Sequence, residues 1–309
     1  MAAPRQFASH QYDGLEITQP GYACRDMQWT FGVSEVTTWP WSFDQDITRY
    51  AALGARTIEV WEMKLDPDPQ KRREQLASTR EYGLTVSSFQ ADVHALFPTH
   101  LQPEPQGFDD RFNAFTATLE ACAPVIPGAV FVLNTGIATK GDVGAAFERT
   151  VLGYGKLAQR AANLGVTLAL EPLHPLAMNE DSFVWNLEGA LEIVDAVGHS
   201  ALGICADAWN LAGQFALETR LERCRDKIFV AQVADYRRPR SFLDRLVVGD
   251  GSIDFAPFFA GLHAARYRGP IVLEIFSRNV PDSLYDGDLD AVISRSRDAV
   301  ARYFGEPPR

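Results

Sequence analysis

Basic runs are scarce in this chain. It carries 29 lysines and arginines against 40 aspartates and glutamates, a formal net charge of −11, and its basic clusters stop at Lys71-Arg72-Arg73 and Arg237-Arg238. A surface that grips nucleic acid concentrates lysine and arginine to neutralise phosphates, so DNA and RNA are not expected partners. No segment approaches the roughly 18 uncharged apolar residues of a membrane span, and no membrane partner is expected. The first thirty residues lack a basic start followed by an apolar run, so no secretory leader is expected. Cysteine is rare and scattered, at Cys24, Cys122, Cys205 and Cys224, with no CxxC pair. Such residues read as reduced structural cysteines of a cytoplasmic protein.

What is present is a repeating pattern. Of the 309 residues, 46% are hydrophobic, enough for a large buried core. Short β-branched or aromatic runs alternate with segments of helical period eight times. The runs are TFGVSE (30–35), RTIEVW (56–61), LTVSSFQ (84–90), AVFVLNT (129–135), VTLALE (166–171), ALGICAD (201–207), KIFVAQVAD (227–235) and PIVLEIF (270–276). Between them lie amphipathic stripes such as Phe147, Val151, Tyr154, Ala158 and Ala161. Gly83, Gly165 and Gly269 stand where helices must stop before strands, and GSID (251–254) and NED (179–181) offer caps where helices start. Eight strand-then-helix units predict an α/β fold, a (β/α)₈ TIM barrel over residues 29–309. Residues 1–28 fit no unit and read as an N-terminal extension. An open doubly wound sheet is the weaker alternative, because no glycine-rich phosphate turn follows the first strand.

A barrel of this type keeps its active site at the C-terminal ends of its strands. There the fifth run ends in Glu171 and the sixth in Asp207; the seventh carries Gln232 and the eighth Glu274. Three carboxylates converging on one point would repel each other, and a divalent cation removes that penalty. An all-oxygen ligand set suits Mn²⁺ best, with Mg²⁺ or Co²⁺ as alternatives, and suits Zn²⁺ less.

The segments LALEPLHP (168–175), GICAD (203–207), QVADYRRP (232–239), GDGSIDF (249–255) and VLEIF (272–276) resemble the xylose-isomerase-like sugar phosphate isomerase/epimerase family. The resemblance runs from about residue 30 to residue 304. It implies a TIM barrel holding one divalent metal ion through Glu171, Asp207, Gln232 and Glu274. Glu171 and Glu274 are also catalytic candidates, and His174, three residues after Glu171, is either an acid/base at the barrel mouth or a structural hydrogen-bonder. Two positions depart from the common pattern. Gln232 replaces a histidine found in many members and looks like the branch containing 3-dehydroshikimate dehydratases. Asn210 stands where many members have a second histidine. EPLHP also resembles the catalytic subunit of C-glycoside deglycosidases acting on 3-keto-glycosides, which implies a small β-rich partner subunit as an alternative to a homo-oligomer. With six histidines, the chain lacks the His-rich cluster that the endonuclease branch of the superfamily requires.

Softer candidates surround these. Glu35, Glu59, Trp61 and Glu62 lie at the ends of the first two strands, Lys64 follows, and these groups could bind sugar hydroxyls or stack on a sugar face, or simply pack the rim. His94 could line the pocket or cap it, Asn210 could contact substrate, and Arg237 could fork onto a carboxylate or phosphate. An ion chelating a carbonyl and its neighbouring hydroxyl acidifies the adjacent C–H and stabilises the enediolate. The expected protein is therefore a metal-dependent isomerase or epimerase for a sugar or keto-sugar. A lyase using the same site for elimination is the first alternative, and a non-catalytic sugar-binding barrel the second.

Overall fold

The computed structural model describes residues 29–304 apart from Asn179. The expected extension over 1–28, Cys24 included, lies outside the described residues. All eight expected strands are present: β1 (Phe31–Ser34), β2 (Thr57–Trp61), β3 (Thr85–Ala95), β4 (Val130–Asn134), β5 (Thr167–Leu170), β6 (Leu202–Asp207), β7 (Ile228–Val233) and β8 (Ile271–Leu273). Each pairs in parallel with its sequence neighbours, and β8 closes on β1 to complete the barrel. Helices fill the connections, among them α1 (Phe43–Ala52), α2 (Pro69–Ser78), α3 (Phe108–Cys122), α4 (Val143–Asn163) and α5 (Leu187–Val197).

Side chains alternate across a strand, and here the two faces carry different chemistry. Val33, Ile58, Phe89, Phe131, Leu168, Ile204 and Leu273 join the continuous apolar core against the helices. A second, small apolar cluster of Val132, Ala169, Cys205 and Val230 forms separately, as expected of the inward face at one level of the barrel. Two residues further along their strands, the same inward face of β6 and β7 presents Asp207 and Gln232, which lie opposite each other in register.

The termini of the helices corrected two expected caps. Gly83 and Gly165 do take left-handed conformations, with φ of 71° and 73°. Gly269 does not: the turn before β8 places Arg266 at φ 62° instead, one residue after the helix Ala256–Ala264 and its C-cap. The helix α5 starts on Asn186, whose side chain accepts from the Gly189 N–H. Asp181, expected to cap there, accepts from the Leu101 N–H across a neighbouring loop. Asp254 behaves as expected and accepts from the Ala256 N–H.

Candidate metal centre

Glu171, Asp207 and Glu274 meet at the C-terminal end of the barrel, with one ligand oxygen from each within 4.8 Å of the others. Their convergence follows from the backbone. β5 ends at Leu170, because Pro172 lacks the N–H that a continuing inner strand needs. Glu171 is thus the first residue beyond the strand, while Asp207 is the last residue of β6 and Glu274 the first after β8. All three are buried, Asp207 completely.

Asn210 ties the group together. Its Nδ2 donates to Glu171 Oε1 at 2.7 Å and to Asp207 Oδ2 at 2.9 Å, and its Oδ1 accepts from the His174 N–H at 2.9 Å. The amide is thereby committed to the carboxylates and to the loop after β5. Gln232 adjoins the group with its amide oriented by other residues. Its Oε1 accepts from Cys205 Sγ at 3.0 Å, and its Nε2 donates to Glu59 at 3.0 and 3.2 Å and to Glu274 Oε1 at 3.1 Å.

Two members of this network, Gln90 and Arg245, are not among the sequence candidates, and a third, Glu59, is one only as a softer binder of sugar hydroxyls. Glu59 on β2 is fully buried and also accepts from Ser88 and Gln90. Gln90 donates to Glu274 Oε1 at 2.5 Å as well. Arg245 is 3% exposed, and its Nη1 donates to Asp207 Oδ2 at 3.0 Å and Glu274 Oε2 at 2.8 Å. Glu59 has a visible signal, as the one charged residue of β2, flanked by Ile58 and Val60. Arg245 gave no signal, because it lies 13 positions after Gln232 in a segment without period.

The electrostatics are those of crowded acids. Burial, and then repulsion by Glu274 and Asp207, raise the Glu171 carboxyl well above its ordinary range. Burial is also the main reason that Glu274 is pushed up to about 8, Arg245 pulling the other way. Burial raises Glu59 as well. Burial would lower Arg245, but attraction by Asp207, Glu274 and Glu171 outweighs it and keeps the guanidinium charged. Four buried carboxylates thus face one buried arginine. A divalent cation fits that imbalance and the hard-oxygen donor set.

The remaining candidates are placed as follows. His174 is partly buried, with its ring edge-on to Trp209 at 5.7 Å. Its Nδ1 accepts from the Leu176 N–H, which leaves the proton of the neutral ring on Nε2. Burial, and then the charge of Arg240, lower its pKa to about 4. Glu35 is fully buried and accepts from the Trp61 N–H; Lys64 is held by Asp46 Oδ2 and the Thr38 carbonyl. These two groups tie the β1 and β2 ends together within the protein. Trp61 packs on Trp39 at 4.4 Å between ring centres. His94 Nδ1 lies 3.1 Å from the Ala91 carbonyl oxygen. Arg237 forks between Asp244 and Asp282 at the surface. Asp235 accepts the N–H groups of Gly249, Gly251, Ser252 and Ile253, so the GDG segment is the turn expected of it. A Cβ on Gly251 would lie 2.4 Å from Asp235 Oδ1, which explains the glycine.

A closed parallel barrel with buried acids at the carboxyl ends of its strands defines a protein class organised around a strand-end site. Residues 47–299 match the model of the xylose isomerase-like TIM barrel family, and the chain belongs to that family. A 3-dehydroshikimate dehydratase of Pseudomonas putida is 31% identical over 131 residues, which is 39% of this chain and 19% of that protein. The chain therefore spans a small part of that curated relative. The structure of a zinc-bound IOLI protein superposes with a TM-score of 0.73 at 20% identity, covering 90% of this chain and 100% of the other. Clostridium cellulolyticum D-psicose 3-epimerase, solved with D-tagatose, gives a TM-score of 0.72 at 17% identity over 89% of this chain and 99% of the other. Among the described residues no helix is long and apolar enough to cross a membrane.

Proposed function

We propose that this chain is a divalent-metal-dependent isomerase or epimerase that moves a proton beside a carbonyl of a sugar or keto-sugar. The observation that carries the reading is the buried triad of Glu171, Asp207 and Glu274 with Arg245 as its buried counter-charge. An ion held there, Mn²⁺ being the best match to oxygen donors, would polarise a carbonyl and its neighbouring hydroxyl and acidify the C–H between them. Glu171, Asp207 and Glu274 are its ligands in this reading. Gln232 joins them by a half-turn of its amide, exchanging the oxygen now on Cys205 for the nitrogen now on Glu59 and Glu274.

The chain's own groups supply the rest. Glu171 and Glu274, which reach the site from the ends of β5 and β8, are in this reading the carboxylates that take a proton from carbon and return it. His174 offers its Nε2–H to a substrate oxygen, with its orientation set by the Leu176 N–H and the Asn210 amide. The similarity to a dehydratase supports a second reading in which the same site expels a β-oxygen.

The test has two parts. Purified protein should carry about one divalent ion, and Glu274→Gln should lose it. Metal-loaded protein should wash deuterium from D₂O into a ketohexose such as D-psicose or D-tagatose and yield its epimer. Deuterium uptake without an epimer, but with water loss from 3-dehydroshikimate, would select the elimination reading. Absence of a bound ion would refute both and leave a sugar-binding barrel.

A further inference from the structure

Two carboxyl groups and one lysine are enclosed where β1 and β2 end. Glu35 opens the turn Glu35–Thr38 after β1, Asp46 stands on α1, and Lys64 closes the turn Glu62–Lys64 after β2. Glu35, Thr38, Asp46 and Tyr50 are completely buried, and the Lys64 side chain nearly so. Asp46 has the donors of an ionised carboxylate: its Oδ1 accepts from Thr38 Oγ1 and its Oδ2 from Lys64 Nζ, both at 2.6 Å. Glu35 has only half of what it needs. Its Oε2 accepts the Trp61 N–H at 2.8 Å, while its Oε1 has no donor. Its carboxyl is in hydrogen-bond contact with that of Asp46. No neighbour has a donor to spare, since Lys64 also donates to the Thr38 carbonyl oxygen and Tyr50 shares the Thr38 hydroxyl.

Two ionised carboxylates in contact repel each other, whereas a protonated one donates a hydrogen bond to its neighbour. One added proton therefore completes the bonds of the cluster and leaves one negative charge beside one positive. We propose that Glu35 is a neutral acid in the folded protein at neutral pH, its O–H donating to Asp46, and that this one proton latches the ends of β1 and β2 together until rising pH removes it. Burial, and then the charge of Asp46, raise the Glu35 carboxyl well above its ordinary range, with Lys64 pulling the other way. Burial raises Asp46 as well, but Lys64, Glu35 and Thr38 all act to hold its charge. Burial also raises the Tyr50 phenol, so α1 adds no second ionisation. Stability then responds to pH in the sense opposite to an ordinary salt-bridged carboxylate. The contribution of this proton is full below the unfolded pKa of Glu35 and is lost as the pH rises through the folded one. Its loss frees two turns that carry Trp39 and Trp61, whose rings pack at 4.4 Å, and so loosens one side of the barrel mouth. The latch is independent of any metal held at the other strand ends.

The Trp61 N–H donates to Glu35 Oε2, so its NMR shift reads the charge of Glu35. The experiment follows that shift, and thermal unfolding, from about pH 4 to about pH 10 for wild type, Glu35→Gln and Asp46→Asn. Glu35→Gln keeps both bonds, an amide N–H replacing the acid O–H, and has no proton to lose. The wild-type shift should move in one step above neutral pH, and that of Glu35→Gln should stay flat. Relative to this variant, the wild-type unfolding constant should grow about tenfold per pH unit beyond the step. Asp46→Asn removes the repelling charge and leaves Lys64 to Glu35, so its step should fall at lower pH. A wild-type step below neutral pH, no step at all, or the same step in Glu35→Gln overturns the inference. So does a Glu35→Gln protein that fails to fold at neutral pH, because the amide preserves both bonds. If Asp46→Asn does not fold, the other two proteins decide.

Discussion

Replacing Asn210 by alanine removes one amide and three hydrogen bonds. Two of them, to Glu171 at 2.7 Å and Asp207 at 2.9 Å, are donated to carboxylates, a kind of bond typically worth about 1.5–3 kcal/mol. Two effects then oppose each other. Freed carboxylate oxygens hold more charge for an ion, which favours binding. Against this, Glu171 loses its link to Asp207 while the burial and the repulsion that raise its pKa persist, so the two oxygens swing apart and must be gathered again on binding. The second effect should win, because the three carboxylates come from three separate strand ends and the Asn210 amide bridges two of them. Loss of such an outer partner typically weakens metal affinity 10–100-fold, or about 1.4–2.8 kcal/mol. Asn210→Asp, nearly isosteric, loses the same two donated bonds but adds a negative charge that attracts the ion, so it should weaken binding less than Asn210→Ala. Chelator competition with Mn²⁺ measures both variants, with circular dichroism as the check on folding. An Asn210→Ala affinity within about threefold of wild type would refute the bridging argument. Amide hydrogen exchange adds a second reading: the His174 N–H, which now donates to Asn210 Oδ1, should exchange faster in Asn210→Ala and stay protected in Asn210→Asp, which keeps an acceptor oxygen there.

Further outcomes follow from the same geometry. Gln232→His should shift the Mn²⁺/Zn²⁺ preference towards zinc by about tenfold, since imidazole suits zinc better than an amide oxygen; an unchanged ratio in competition titrations would remove Gln232 from the ligand set. His174→Asn should keep its metal and lose about 10²–10⁴-fold in turnover; if turnover and deuterium exchange stay within a few-fold, His174 is structural. NMR titration of His174 in the folded chain should give a pKa near 4, where burial holds it, against about 6.5 unfolded. The unfolded chain then binds the extra proton first, so this residue's contribution to stability is full above about pH 6.5 and falls as the pH drops towards 4. A folded-state pKa at or above 6.5 would contradict the placement of its ring.

Much of the scaffold was legible because it depends on periodicity. Eight apolar runs with intervening helical stripes predict eight strands and a closed barrel, and every strand lies within two residues of its predicted start. At the other end β3 continues to Ala95 and β8 stops at Leu273, three residues before its run ends. Glu171, Asp207 and Glu274 were legible for the same reason: each is a charged residue at the end of a buried run, and the barrel rule assigns such ends to the site. Local signals failed where a loop chose its own partners. Asp181 was read as a helix cap and instead accepts from Leu101, a contact between segments 80 positions apart.

Tertiary structure alone decided what each polar group faces. Lys64 and Glu35 follow strand ends just as Glu171 does, but Asp46, Thr38 and Trp61 engage them. Arg237, which by sequence could fork onto a ligand anion or stand in solvent, is committed to Asp244 and Asp282. Arg245 is the reverse case, an unremarkable loop arginine by spacing that folding buries between Asp207 and Glu274. Spacing along a strand fixes which face a side chain takes, because the backbone repeats every two residues. It carries no information about which distant loop folds over that face, and at this barrel mouth the loop contributes the cation.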